Sequence, residues 1–177
     1  MARKHTLPLR GFNSDGGSVR VTETEVGYLT QLAGWAEFAA AADALLRKNS
    51  LALPADYRSV VRRGPMTAWR IAPDRVLIRS DAKLDIDVPD DLVALDLSDA
   101  RVGLIIEGDG AAGLLARVIA LDFSERAFPV DTFAQTSLHH VGVLIERVDR
   151  DRFMILLPTT WARSLTDLLI THLAAAA

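Results

Sequence analysis

The sequence predicts an α+β protein built from two β-α-β-β half-units of ferredoxin-like type that pack together. Strand-like segments come in adjacent pairs separated by short turns, which is typical of antiparallel hairpins. Segments of helical periodicity each follow one or two strands, and the order strand, helix, strand, strand occurs twice. Helices that follow such strands and cover a sheet of hairpins are typical of α+β architecture. The two halves are not visibly similar in sequence, so the repeat is predicted at the level of structure.

The first half begins after an N-terminal segment. Residues 1–18 contain Gly, Pro, Asn and basic residues without periodicity, and we expect a flexible arm there. β-Branched and aromatic residues predict one or two strands over 19–33, with a break at Gly34. Apolar residues at helical spacing predict a helix over 35–48, and Asn49 can end it.

A hairpin and an acidic segment complete this half. Residues 51–63 are interpreted as irregular, and the apolar runs 66–71 and 76–80 are joined by an Ala-Pro-Asp-Arg turn. Residues 81–91 are rich in aspartate with alternating apolar residues, which predicts a linker or a short edge strand. We place the boundary between the halves at this segment, near residue 92.

The second half is predicted to contain five strands and two helices. The strands are expected at 93–97, 101–107, 132–138, 141–148 and 153–157, and the helices at 110–120 and 160–173. The length fits a single domain over 19–177, made of the halves 19–92 and 93–177.

Composition excludes several functional classes. The 177 residues contain no cysteine, which rules out thiolate catalysis, disulfides, Cys-ligated zinc and iron–sulfur binding. A net charge of −3 provides no global attraction to nucleic acid. No apolar run reaches the roughly 20 residues of a membrane span, and no signal-peptide core is present. We expect a cytoplasmic protein without a nucleic-acid or membrane partner.

A literal G-x-G-x-x-G motif runs from Gly108 to Gly113, between a predicted strand and a predicted helix. A dinucleotide site also needs a second parallel strand that ends in an acidic residue about 20 residues on. Here the chain continues into residues typical of a loop over 121–129. We therefore interpret the motif as architectural: Asp109 caps the helix, and the small residues allow close packing.

The histidines and serines form no recognisable catalytic or metal-binding pattern. His139 and His140 are adjacent and would point to opposite faces of a strand, or would lie at a solvated turn. His5 and His172 lack a partner at zinc-motif spacing, and the serines lack a nucleophile-elbow motif. The Asp96–Asp99 run is interpreted as an architectural turn, with a position facing a ligand as the less favoured alternative. We predict no catalytic residue, no bound cofactor and no metal in this chain.

Several runs carry a resemblance to a known family. They are Asp96-Leu97-Ser98-Asp99, Glu107-Gly108, Arg126-Ala127-Phe128-Pro129, Ala134-Gln135-Thr136, Val143-Leu144-Ile145-Glu146-Arg147, Phe153-Met154-Ile155-Leu156-Leu157-Pro158 and Trp161-Ala162-Arg163-Ser164-Leu165. In this order they resemble the gamma subunit of heterotetrameric sarcosine oxidase, and weaker similarity covers most of 19–173. The resemblance implies the folate-binding aminomethyltransferase fold of the glycine-cleavage T-protein.

The resemblance also implies where the chemistry would reside. A complex of this family oxidises sarcosine to glycine and passes the one-carbon unit to tetrahydrofolate, with FAD, FMN, NAD, tetrahydrofolate and zinc on the alpha, beta and delta subunits. Folate-binding relatives carry an aspartate just before a Leu-Ile pair, whereas Gly142-Val143 precedes Leu144-Ile145 here. A helix that family members have near Asp85 is shortened or lost. The resemblance therefore implies a noncatalytic assembly subunit.

Five residues are candidates for a subunit interface, because as a set they combine apolar bodies with a few hydrogen-bonding groups and match the family that the chain resembles. They are Phe128, Pro129, Gln135, Thr136 and Trp161. Ordinary core and loop packing is the alternative for each.

Two other functions remain open: a small folate-binding or aminomethyl-transferring protein that acts alone, and a homo-oligomeric interaction module. An isolated gamma subunit would be colourless and prone to self-association through uncovered apolar surface.

Overall fold

The computed structural model describes residues 13–16 and 18–174. These residues form two compact units. The first unit contains the described residues up to Glu25 and those from Asp99 onward, and the second unit is Val26–Ser98. Residues 1–12, and with them His5 and most of the predicted arm, lie outside the described part of the chain.

The strands and helices follow one another closely along the chain. In order they are β1 (Asn13–Gly16), β2 (Val19–Thr24), β3 (Tyr28–Gly34), α1 (Phe38–Lys48), β4 (Val60–Arg63), β5 (Met66–Ala72), β6 (Arg75–Ser80), β7 (Leu92–Asp96), β8 (Arg101–Glu107), α2 (Ala111–Val118), β9 (Thr132–Leu138), β10 (Val141–Asp149), β11 (Arg152–Pro158) and α3 (Ala162–Ala174). A 3-10 turn, Thr159–Trp161, leads into α3.

The first unit contains a six-stranded sheet in the order β1-β2-β8-β11-β10-β9, with every neighbouring pair antiparallel. Successive residues of a strand point to opposite faces, so alternate apolar residues of β8 and β11 share one face. Among the buried residues of that face are Leu104 and Ile155, and they belong to one core with Leu115 of α2 and Leu169 of α3. Burying each such side chain contributes about 1.5–3 kcal/mol.

The second unit contains a five-stranded antiparallel sheet in the order β4-β5-β6-β3-β7. Its core joins Leu32 and Ile78 of the sheet to Phe38 and Leu45 of α1. The aspartate-rich segment 81–91 forms no strand. Its alternating apolar residues are half-buried against this core, and the aspartates between them are exposed.

Two antiparallel sheets with a few helices confirm the predicted α+β class. The units are divided differently from the predicted halves, since β2 pairs with β8 and the division falls after Ser98 instead of near residue 92. The acidic segment 81–91 therefore lies within the second unit and does not separate the two. It is a linker between β6 and β7, the first of the two forms predicted for it.

Two strands were not predicted. β1 lies inside the predicted flexible arm and pairs with β2 over four residues. β4 lies inside the segment interpreted as irregular and pairs with β5. Both are short strands at sheet edges, where the sequence shows little of the apolar alternation that predicts a strand.

Candidate functional site

The five predicted interface residues do not form one continuous surface. Phe128 is only 2% exposed and packs edge-to-face on Phe123, so its ring contributes to the core of the first unit. Gln135 and Thr136 are neighbours on β9 and therefore point to opposite faces of the sheet. Pro129 is exposed in the loop before β9. Trp161 is 52% exposed and is the large apolar side chain among the five that reaches solvent.

Trp161 lines a groove of about 390 Å³ in the first unit. The other lining residues are His139, Val141, Ser164, Leu165, Asp167, Leu168 and Thr171. Most of them lie on α3 at spacings of three and four, which places them on one stripe of the helix. The turn between β9 and β10 supplies the opposite wall. The groove is thus mainly apolar, with the Asp167 carboxylate as its one acidic lining group.

His139 and His140 form the turn between β9 and β10. Their φ values of 46° and 71° are both left-handed, as expected for the two central residues of a tight hairpin turn. The two rings lie side by side with centroids 5.3 Å apart. Neighbouring side chains point to opposite faces only within a strand, and the solvated turn predicted as the alternative is what the structure shows. In the part of the chain that the structure covers, no three His, Asp or Glu side chains are grouped in a way that could hold a metal ion.

The G-x-G-x-x-G motif is explained by close backbone packing. Gly108 has a φ of +116°, and a Cβ there would collide with the Ser18 carbonyl oxygen. A Cβ at Gly110 would lie 2.5 Å from the Ser18 hydroxyl. Gly110 is the N-cap of α2 and no side chain caps this helix, so the predicted capping role of Asp109 is wrong. The strand that follows α2 is β9, which lies at the sheet edge and is not a parallel neighbour of β8, so the dinucleotide-binding unit is not formed.

The Asp96–Asp99 run forms a hydrogen-bonded turn. The backbone amide and the hydroxyl of Ser98 donate to the Asp96 carboxylate at 3.0 and 2.6 Å. The same hydroxyl accepts a bond from the Leu29 amide at 3.0 Å, which ties the turn to β3. Hydrogen bonds from Ser98 lower the pKa of Asp96 below its usual range, because they favour the ionised carboxyl. These contacts agree with the architectural role predicted for this run.

Arg147 was not predicted to have a structural role, yet it is only 2% exposed. Its guanidinium donates to the carbonyl oxygens of Phe123 at 3.1 Å, Phe128 at 2.7 Å, and Arg150 at 2.9 and 2.6 Å. It also lies over the Phe153 ring, 5.0 Å from the centroid. A rigid fork of donors can bind several carbonyls at once. Arg147 therefore fixes the loop that carries Phe128 and Pro129 to the end of the sheet.

The comparisons with known proteins rest on structure alone, since no family model and no curated protein matches the sequence. The chain is similar to heterotetrameric sarcosine oxidase from Corynebacterium sp. U-96, solved in complex with pyrrole 2-carboxylate, with a TM-score of 0.79 and 22% identity. The similarity covers 92% of this chain and 87% of that one. This chain has the fold of a sarcosine oxidase chain. The fold resemblance predicted from the sequence is confirmed.

A second similar structure is aminomethyltransferase T of the glycine cleavage system from Bartonella henselae, with a TM-score of 0.60 and 16% identity. The similarity covers 86% of this chain and 45% of the transferase, so the chain spans less than half of that protein. The aminomethyltransferase-like fold predicted from the sequence is thereby confirmed.

No helix within residues 13–16 and 18–174 has both the length and the apolar character needed to cross a membrane.

Proposed function

We propose that this chain is the noncatalytic gamma subunit of a cytoplasmic, sarcosine oxidase-like flavoenzyme complex. The observation that supports this most is the match to a chain of heterotetrameric sarcosine oxidase over nearly the full length of both chains. Agreement in fold and in length is what two counterparts of one subunit would show. The order of sequence runs that resembles the gamma subunit supports the same assignment independently.

In this proposal the chemistry belongs to the partner subunits, alpha, beta and delta. They would hold FAD, FMN, NAD, tetrahydrofolate and zinc, convert sarcosine to glycine and pass on the one-carbon unit. The chain contributes apolar surface that covers its partners and keeps the route between amine oxidation and folate chemistry closed to water. The missing folate-binding aspartate supports a role without catalysis, because this chain has Gly142-Val143 before Leu144-Ile145 where the resemblance implies that aspartate.

Co-expression tests this proposal. A tag on this chain should retrieve a yellow complex that contains the flavin-bearing subunits, whereas the chain expressed alone should be colourless. Retrieval of the chain without flavin, from cells in which all the subunits are present, would contradict the assignment.

A small folate-binding or aminomethyl-transferring protein is the alternative that the T-protein fold favours. It predicts that the isolated chain binds tetrahydrofolate. Isothermal titration calorimetry on the isolated chain separates the two functions: we expect no binding heat. If the chain is instead a homo-oligomeric interaction module, it should assemble with itself and retrieve no other subunit.

Replacing Trp161 with alanine should weaken binding to the partner subunits by about 30-fold or more, because an exposed indole beside an apolar groove is a typical interface anchor. The free energy of unfolding should change by less than about 1 kcal/mol, since the side chain is half exposed. Surface plasmon resonance and chemical unfolding measure the two quantities. Tyr57→Ala is the matched control, because Tyr57 is 50% exposed and lies outside both the groove and strand β7. Equal effects of both substitutions on binding would contradict a role for the groove.

A further inference from the structure

We propose that the outer edge of β7 binds an extended basic segment of a different polypeptide, which adds a sixth strand to the five-stranded sheet. The identity of that polypeptide as a partner subunit rests on the proposed function, whereas the binding edge itself does not. Three features of β7 support the proposal: an edge that no other described strand pairs with, exposed apolar side chains, and acidic surroundings.

β7 is the last strand of its sheet and pairs with β3 on one side. In an antiparallel pair, the residues that bond to the neighbouring strand alternate with residues whose backbone groups point away. The Leu97 amide donates to the Leu29 carbonyl at 2.7 Å, and this fixes the phase of the alternation. Val93 and Leu95 therefore bond inward to β3. The backbone groups of Ala94 and Asp96 point outward, toward the open edge.

Most side chains of β7 are exposed, although four of its five residues are apolar. Four of its five residues are exposed, with Leu92 as the buried one. Val93 and Leu95 are 41% and 45% exposed and share one face of the sheet. Covering them with a partner strand would remove apolar surface from water and complete the backbone hydrogen bonds at once.

β7 is short and ends in the charged Asp96, but it lacks three other features with which edge strands resist pairing. Such features are lysine or proline within the strand and a β-bulge. The strand Leu92–Asp96 contains neither residue, and its register with β3 is regular. β4, at the other edge of the same sheet, differs in that it carries Arg62 and Arg63, both exposed. An unprotected apolar edge is expected where another chain covers it.

The charge around β7 indicates what kind of chain this is. Between Asp81 and Ser98 the sequence has six aspartates and one lysine, Lys83. Asp90 and Asp91 directly precede the strand, Asp96 ends it, and all three are exposed. A segment with Lys or Arg on either side of alternating apolar residues would complement this surface. A second copy of this chain would bring its own acidic residues against them, so charge disfavours a β7-to-β7 dimer.

Two labelled peptides test the edge directly, with the full chain as the binding partner. One is Arg-Thr-Val-Thr-Val-Thr-Arg, and the other has glutamate at both ends in place of arginine. We expect the basic peptide to bind at least tenfold more tightly in fluorescence anisotropy, with the difference shrinking as salt is added. Equal affinities, or no binding of the basic peptide, would overturn the proposal whatever the function of the chain.

Ala94→Pro removes an outward amide without touching the bonds to β3, so it should abolish binding of the basic peptide while thermal unfolding stays cooperative. Should this variant fail to fold, Leu95→Lys tests the same edge, because it adds a positive charge beside the peptide. Asp90→Asn with Asp91→Asn should weaken binding about tenfold, whereas the control pair Asp109→Asn with Asp149→Asn removes the same charge from exposed positions of the first unit and should leave binding unchanged. Binding that survives in a folded Ala94→Pro or Leu95→Lys variant would place the peptide at another site and overturn the proposal.

Hydrogen exchange in the assembled complex separates this inference from the proposed function. In the co-purified complex, we expect the Ala94 and Asp96 amides to exchange with deuterium at least 100-fold more slowly than in the isolated chain. A yellow complex that forms with these amides still open would overturn the edge as its docking site and leave the subunit assignment intact. If the basic peptide binds at the edge but no flavin-bearing subunit co-purifies, the binding edge is supported and the subunit assignment is contradicted.

Discussion

Replacing Arg147 with methionine is expected to lower the free energy of unfolding by about 3–5 kcal/mol. The guanidinium is buried and donates four hydrogen bonds to three carbonyl oxygens, those of Phe123, Phe128 and Arg150. Methionine fills similar volume but leaves these carbonyls without their donor, and a buried acceptor without a partner is costly. Urea unfolding followed by circular dichroism measures the change.

Arg152→Met is the matched control for Arg147, since Arg152 lies at the start of the neighbouring strand. Its side chain is 51% exposed, and its Nε lies 3.6 Å from Glu107 Oε2. Such a solvent-exposed ion pair contributes little to stability. We expect a change of about 1 kcal/mol or less for the control. Equal destabilisation by the two substitutions would show that Arg147 does not hold the loop.

Gly108→Ala should destabilise the chain by about 3 kcal/mol or more, because two costs add up. The φ of +116° is strained for any residue with a side chain, and the new methyl group would collide with the Ser18 carbonyl, a backbone atom that cannot rotate away. Calorimetry of thermal unfolding measures this loss of stability.

Gly113→Ala is the natural control, because Gly113 lies in the same motif and a Cβ added there would meet no atom within 4 Å. It is exposed in the middle of α2, where alanine is the better helix former by about 1 kcal/mol. The control should therefore be neutral or stabilising. A Gly108→Ala variant as stable as Gly113→Ala would contradict the packing explanation of the motif.

Sequence patterns predicted most of the long strands because burial leaves a continuous apolar run or an apolar alternation in the sequence. The predicted bounds of β8 and β9 agree with the structure residue for residue. α1 begins at Phe38, three residues later than predicted, since Gly34 ends β3 and the next residues form a turn. β4 was missed because an exposed edge strand needs no such alternation.

Contacts between residues distant in sequence were harder to predict than local secondary structure. β2 and β3 are consecutive in sequence but belong to different sheets, and nothing in either segment indicates that β2 pairs with β8. Arginine is a surface residue in most proteins, so the burial of Arg147 is visible only when the loop carbonyls that it binds are in place. Phe128 was an interface candidate because a loop was expected there, and the structure shows the alternative, packing in the core.

The candidate interface could be predicted only in part. Exposed aromatic residues are good candidates for interfaces, and Trp161 does lie beside an apolar groove. The exposure of Val93 and Leu95 was not foreseen, because two apolar residues in a short strand normally indicate burial. Their position at an open sheet edge follows from strand order, which a single sequence does not encode locally.

Native mass spectrometry of the assembly retrieved through a tag on this chain tests the central claim most directly. The account predicts one defined mass that contains this polypeptide together with the flavin-bearing subunits, and catalytic turnover of sarcosine only in that assembly. A mass that corresponds to this polypeptide alone, as a monomer or a homo-oligomer, would contradict it, as would turnover by the isolated chain.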